Sequence, residues 1–212
     1  DEPWLIWSNF ALGVALALLQ IPRALIELAE AKAGNTDEAA KASAIPKAWW
    51  DTGIGVVCML RAGFSYPTNA DLPLEVQEIM GMQAACEGMA GAFLPVVAWL
   101  KVYFTMDSDF GPNWVKFVKV LDLLGQFVLT GGAILMSMLA STYKDAFKTA
   151  TDKAGCALQS GSYVLMQATL FTTACIDFNP KGKLRPEVPV GLAVAAAVCD
   201  LGSGINNIIE VV

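Results

Sequence analysis

The chain has 212 residues, 55% of them hydrophobic and only 16% charged, with a mean hydropathy of +0.51. Soluble domains carry about 25% charged residues, so most soluble classes are excluded, and disorder with them. A net charge of −6 and a pI near 4.6 give no electrostatic reason to expect a nucleic-acid partner.

Six apolar segments follow one another along the chain. The first, 4–22, has no charge, and its length suits a bilayer span of about 20 residues. Pro22 and Arg23 then lead into RALIELAEAKAG, which is helical in period and polar on its far face. It reads as a kinked continuation or a short amphipathic helix at the interface, stopped by Gly34. Asn35 or Thr36 is placed to cap a following turn, TDEAAKAS. The second segment, 48–66, opens on Trp49 and Trp50 and is the weakest, because it holds Asp51 and Arg61. The third, 79–100, has Glu87 as its one charge and Pro95 near its end. The fourth, 120–143, has Asp122 near its start. The fifth, 154–176, is uncharged but rich in Ser, Thr, Gln and Gly. The sixth, 188–209, contains Asp200. None alternates like a barrel strand.

The fold class expected is therefore all-α: a polytopic transmembrane bundle of about six spans in a single membrane domain, 1–212. A short amphipathic helix is expected between spans one and two. Five spans is the alternative count, because span two is weak. Trp4, Trp7, Trp49, Trp50, Trp99 and Trp114 fall near span ends, as interface anchors do. The connections 1–2, 3–4 and 5–6 carry Arg23, Lys32, Lys41, Lys47, Lys101, Lys116, Lys119, Lys181, Lys183 and Arg185. The other side carries only Arg61, Lys144, Lys148 and Lys153, so both termini are expected on the less positive side. The chain begins at Asp1, with no targeting segment before the first apolar run. It is expected to be either a processed chain or one given without its ends.

A unit of three spans is expected to occur twice, as half-repeats 1–106 and 107–212. At an offset of 112, AGFSYPTNADLPLEV from Ala62 aligns with ACIDFNPKGKLRPEV from Ala174. Tyr66 then meets Phe178, and Leu72 meets Leu184. One residue of slippage later, Cys86-Glu87 meets Cys199-Asp200. A repeat of three spans has to be inverted across the membrane, a plan used by several transporter folds.

Chemistry-bearing motifs are few. The chain has no histidine, which removes the commonest metal ligand and general base. There is no GxxxxGK[ST] loop and no GxGxxG. Cys58, Cys86, Cys156, Cys175 and Cys199 form no CxxC pair, and most sit in apolar runs as small hydrophobes. No catalytic residue, metal site or required cofactor is expected, and the chain is read as not an enzyme.

The residues out of place are the acids inside spans. A charge at mid-bilayer costs about 2.5–3.5 kcal/mol on insertion scales. Glu87 and Asp200 thus need a partner, a proton, a cavity or a ligand. The expected intramembrane polar site is Glu87 and Asp200 with Gln126, Gln167 and Asn206; Gln83 and Asn207 are further hydrogen-bond candidates. Asp51 and Arg61 are about 15 Å apart along one helix, so each is expected to snorkel to its own interface. Asp122 is expected to contact Lys119 at i,i+3. Small residues line one stripe on each of three spans: Gly191, Ala195, Cys199 and Ser203; Ala84, Gly88 and Ala92; Ala133, Ser137 and Ser141. Such stripes let helices approach closely in lipid.

Two functions compete. The first is a structural or accessory subunit of a respiratory or photosynthetic membrane assembly, in a thylakoid or mitochondrial inner membrane. Its partners would be lipid and other membrane subunits. Bound lipid is expected on either reading, and a chlorophyll-type pigment on an acid or amide ligand is the less favoured extra. The second is a small transporter or channel for an ion or small solute that works through Glu87 and Asp200.

Overall fold

Large apolar side chains face outwards on every helix, and charged side chains face inwards. Phe127 and Val198 are 62% and 63% exposed, whereas Glu87 is 1% and Arg61 3% exposed. Water as solvent would give the reverse, and hydrocarbon as solvent gives this arrangement. The structure is a computed structural model that describes residues 3–65, 72–107 and 110–211. These residues form six long helices: α1 (Pro3–Lys32), α2 (Asp37–Ser65), α3 (Leu74–Met106), α4 (Pro112–Ser141), α5 (Ala150–Phe178) and α6 (Glu187–Val211). A single 3-10 turn, Lys144–Ala146, lies between α4 and α5, and no strand occurs among the described residues.

Four helices hold a stretch long and apolar enough to cross a membrane: Phe10–Lys32, Leu74–Met106, Pro112–Ser141 and Glu187–Asn206. The chain is thus an all-helical integral membrane protein by length and composition. Each of the six expected segments falls on a helix, and every helix begins before its apolar run, while α4 ends two residues short of the expected 143. The separate amphipathic helix expected between spans one and two is absent. Its residues 23–32 are the C-terminal end of α1, which continues through Pro22, and α2 already begins at Asp37. The physical reason is mutual pairing. Polar groups on the last turns of α1 meet polar groups on the first turns of α2, so both helices extend together.

Local signals set the helix ends. Gly34 (φ 84°) and Asn35 (φ 50°) turn the chain in the left-handed region after α1. The Ala39 N–H then donates to Thr36 Oγ1 at 3.2 Å, which caps α2. Pro112 follows Gly111 as the first residue of α4. Thr149 and Asp152 make a reciprocal capping box at α5: Asp152 N–H donates to Thr149 Oγ1 at 2.9 Å and Thr149 N–H to Asp152 Oδ2 at 3.0 Å.

Sequential helices are neighbours all the way round, and α6 closes against α1. The result is a ring in chain order, with α1 also touching α5 across it. The tightest crossing joins α2 and α3. A Cβ on Gly55 would lie 2.5 Å from the Gly91 carbonyl oxygen, and one on Gly91 would lie 2.6 Å from the Gly55 carbonyl oxygen. Only glycine at both positions permits this approach. The small-residue stripes expected on α3 and α6 face their neighbours only in part: Ala84 and Ser203 are buried, and a Cβ on Gly88 would lie 3.6 Å from the Ala62 Cβ. On α6, Gly191 is exposed and Ala195 and Cys199 half-buried, while Ala193, Ala196 and Ala197 face inwards. On α3, Ala92 is exposed and Gly91 makes the close contact. On α4, Ala133 is buried but Ser141 is exposed.

Trp4, Trp7, Trp49, Trp99 and Trp114 are exposed, and Trp50 is half-buried. Trp49 and Trp99 meet edge to face at 5.4 Å, and Trp99 Nε1 donates to Thr52 Oγ1 at 3.1 Å. The five cysteines are free thiols. Tyr66, part of the loop aligned in the repeat, lies outside the described residues, as does the side chain of Asn207.

Candidate intramembrane polar site

Every helix of the ring sends at least one ionisable side chain inwards, and these gather in two clusters. The first sits where the C-terminal ends of α1, α3 and α5 meet the N-terminal parts of α2 and α4. Arg23 Nε donates to Asp51 Oδ1 at 2.9 Å, and Arg23 Nη1 donates to Glu27 Oε2 at 3.0 Å. Lys47 Nζ lies 2.9 Å from Glu27 Oε2 and 2.5 Å from Glu30 Oε2, and the Ser43 hydroxyl also donates to Glu30. Lys101 bridges Asp122 and Asp177, the latter at 2.7 Å. Lys119 Nζ lies 3.2 Å from Asp177 Oδ1 and donates to the Asp177 carbonyl at 2.7 Å. The two halves sense one another: Asp51 lies within electrostatic reach of Lys101, and Asp177 of Lys47. Four cations thus face five carboxylates.

The second cluster lies at the other end, about 15 Å further along α2. Arg61 Nε is 3.7 Å from Glu87 Oε1, and Gln83 Nε2 donates to Glu87 Oε2 at 2.9 Å. The Arg61 guanidinium also lies 5.8 Å from the centre of the Tyr163 ring, within cation–π range. Asp200 on α6 shares a small cavity with Arg61. Phe10, Gly13, Gln159, Ser203 and Gly204 complete its wall, and it measures about 40 Å³. A Cβ built on Gly13 would lie 3.4 Å from Asp200 Oδ1 and 3.8 Å from Arg61 Nη1, so glycine leaves room for both heads. Asp200 is 5% exposed, and its Oδ2 has no hydrogen-bond partner among the described residues.

Between the clusters lies Gln20, 1% exposed, with neither its amide nitrogen nor its amide oxygen partnered among the described residues. It stands seven residues from Gly13 and seven from Glu27, so all three share one face of α1. On the opposite side of the ring, Gln126 Nε2 donates to Asp122 Oδ1 at 3.1 Å. Gln167 Nε2 donates to the Gln126 carbonyl at 2.8 Å and to Thr130 Oγ1 at 3.2 Å.

The five residues expected to form one site are thus divided among three places. Glu87 and Asp200 come together around Arg61. Gln126 and Gln167 belong to the α4–α5 seam below Asp122. Asn206 stands apart and donates to the Thr151 carbonyl at 2.8 Å. Two expected pairings are corrected. Arg61 and Asp51 do not snorkel, because each is buried against a partner on another helix, Glu87 and Arg23 respectively. Lys119 reaches Asp177 and leaves Asp122 to Lys101, because α5 brings a carboxylate between them. Gln20 was missed. An amide in an otherwise uncharged apolar run was the available signal, since an unsatisfied amide is costly in hydrocarbon.

No protein family, no curated protein and no solved structure matches this chain.

Proposed function

We propose that this chain is a multi-pass membrane transport protein for a small ion, with its polar interior as the path. The observation that carries the reading is the inward charge on all six helices of a ring whose outer face is apolar. Charges buried in a membrane protein are expensive and typically mark ion or proton pathways. A purely structural bundle could be held by small residues and van der Waals contact alone.

On this reading all six helices cross the bilayer. The hydropathy of α2 and α5 is lowered by groups such as Asp51, Arg61, Gln167 and Asp177. These side chains point into the ring and not at lipid, so they do not oppose insertion of the assembled bundle. Each of these two helices is 29 residues long, enough for a span of about 40 Å. Helix limits support the inverted repeat as well. Adding 112 to the first residues of α1, α2 and α3 gives 115, 149 and 186; α4, α5 and α6 begin at 112, 150 and 187. Glu87 and Asp200 then occupy equivalent places in the two halves. The orientation argument keeps its sign after paired cations are removed. Lys32, Lys41, Lys116, Lys181, Lys183 and Arg185 remain exposed on one side, against Lys144 and Lys148 on the other.

The test is flux into liposomes that contain the purified chain. Ion flux above that of empty vesicles, lost in Glu87→Gln and Asp200→Asn variants, is the expected result. Wild-type vesicles as tight as empty ones to protons, Na+, K+ and Cl− would remove the reading.

One observation favours the accessory-subunit reading. An apolar groove of about 540 Å³ runs along the outer face of α4 and α5, lined by residues that include Phe127, Ile134, Met138, Val164 and Phe171. Such a groove suits a lipid chain, a pigment tail or a neighbour's helix. Extraction from the native membrane in mild detergent decides it: co-migration with a large assembly on a native gel supports the subunit reading, and a coloured band would place it in a photosynthetic or respiratory complex.

A further inference from the structure

We infer that the cavity between Arg61 and Asp200 is a proton-binding site, in which Asp200 and Glu87 share one exchangeable proton against the fixed charge of Arg61. The inference rests on the transport reading and names its ion. Three observations carry it.

The first is charge. Among the described residues the cluster holds two carboxylates, Glu87 and Asp200, and one cation, Arg61. No other described residue facing it adds a formal charge. α1 brings Phe10 and Gly13, α2 adds the Cys58 thiol, α3 adds the Gln83 amide, and α5 adds Gln159, Ser162 and the Tyr163 phenol. Among the described residues one negative charge is left over in a buried place, and burial without compensation is strongly disfavoured.

The second is size. A cavity of about 40 Å³ holds one to three waters by the requirement of about 10–15 Å³ for each. Organic solutes occupy sites of several hundred Å³, so sugars, amino acids and nucleotides are excluded by volume.

The third is the company. A guanidinium lies on the cavity wall beside Asp200. A metal cation placed there would be repelled at short range by Arg61 in a poorly screened site. A proton escapes this penalty, because it forms an O–H bond with Asp200 Oδ2 and extinguishes the charge where it stands. That oxygen, like Glu87 Oε1 in the same cluster, has no hydrogen-bond partner among the described residues. The step is simple: hydronium delivers a proton to the carboxylate and leaves a water, with no change of oxidation state. Because both acids face one cation, they titrate as a coupled pair.

The test separates the site from the transport reading. Infrared difference spectra of the purified full chain, taken between alkaline and acid pH, read the carbonyl stretch of a buried carboxylic acid directly. The expected result is one titrating band, altered in Glu87→Gln, altered in Asp200→Asn and lost in the double variant. Its midpoint should not move when NaCl or KCl is raised at constant ionic strength with choline chloride. A pH-sensitive dye inside liposomes reads proton flux in parallel. A band with these properties and no flux upholds the proton site and overturns transport. Ion flux with no titrating band overturns the proton site and leaves transport standing. A midpoint that shifts with Na+ or K+ also overturns it, in favour of a metal cation. If the charge variants fail to fold, Gly13→Ala serves instead. It keeps both acids and sets a methyl 3.4 Å from Asp200 Oδ1. The midpoint should shift as water is squeezed from the cavity, and an unmoved midpoint would count against the site.

Discussion

The two ends of the ring handle buried charge in different ways. At one end nine charged side chains from five helices interlock. Arg23, Lys47 and Lys119 reach carboxylates at 2.5–3.2 Å, Lys101 reaches Asp177 at 2.7 Å, and all but Lys119 touch two. At the other end, among the described residues, a single cation stands between two acids, its ion pair with Glu87 is long at 3.7 Å, and a cavity opens beside it. Both clusters carry one carboxylate in excess, so charge count alone does not separate them. The difference lies in saturation. A network whose members are shared among several partners resists movement and braces the helices. A triad with an unpartnered oxygen and space around it has room for a guest.

The largest expected effect comes from removing the lone cation. Arg61→Met leaves Glu87 and Asp200 buried without their counter-charge. Breaking a buried pair in this way costs about 3–5 kcal/mol. Thermal unfolding in mild detergent should show a large drop in Tm. Adding Glu87→Gln and Asp200→Asn to the same chain should recover most of it, since the stranded charges are then gone. A small loss in the single variant, or no recovery in the triple, would show that Arg61 acts through its packing and not its charge.

The dense cluster should be more forgiving. Lys101→Met deprives Asp122 of its ammonium partner, but Gln126 still donates to Asp122 and Lys119 still reaches Asp177. The expected loss is about 2–3 kcal/mol, the low side for a buried pair, because the remaining partners share the burden. If Lys101→Met proves costlier than Arg61→Met, the contrast between braced and poised ends is reversed. A comparable loss of about 1–3 kcal/mol is expected from Gly55→Val, which tests helix approach without touching charge. Its Cβ would lie 2.5 Å from the Gly91 carbonyl oxygen, so α2 and α3 must separate. Since α2 also carries Arg61 and α3 carries Glu87, the same variant should weaken that long ion pair before it weakens the dense network.

How far the sequence foretold this can be read from particular residues. The six apolar runs gave six helices, because a run of about 20 apolar residues has few other solutions. Their true ends escaped, since Arg23, Glu27, Lys47 and Asp51 look like interfacial polarity until their mutual pairing is seen. Glu87 and Asp200 stood out because an acid within an apolar run is conspicuous on its own. Their partner did not. Arg61 was little more than one turn from a span's end on its own helix, and only the register of α2 against α3 and α6 shows that it points inwards. The small-residue stripes held only in part for the same reason: Ala84, Ala133 and Ser203 are buried, but Gly191 and Ala92 are exposed. Periodicity gives a face, but the neighbour decides which face is used, and Gly91 lies next to the expected stripe rather than in it. Asn206 was grouped with the acids through its proximity in sequence, yet it turns towards α5.

The smallest effect should fall outside both clusters, and it matters as the reference for them. Lys153 and Asp145 form an ion pair at 3.2 Å with side chains 41% and 81% exposed. The geometry resembles the buried pairs, so distance alone would rank it with Lys119–Asp177. Solvent decides otherwise. An exposed pair gains little over hydration, and salt screens it further, so Lys153→Ala should cost at most about 0.5 kcal/mol. Comparing its Tm with that of Arg61→Met at low and high salt isolates burial as the variable. A loss from Lys153→Ala as large as that from Lys101→Met would mean that the region around the 3-10 turn is itself enclosed in the assembled protein, and the assignment of that end to open solvent would fail.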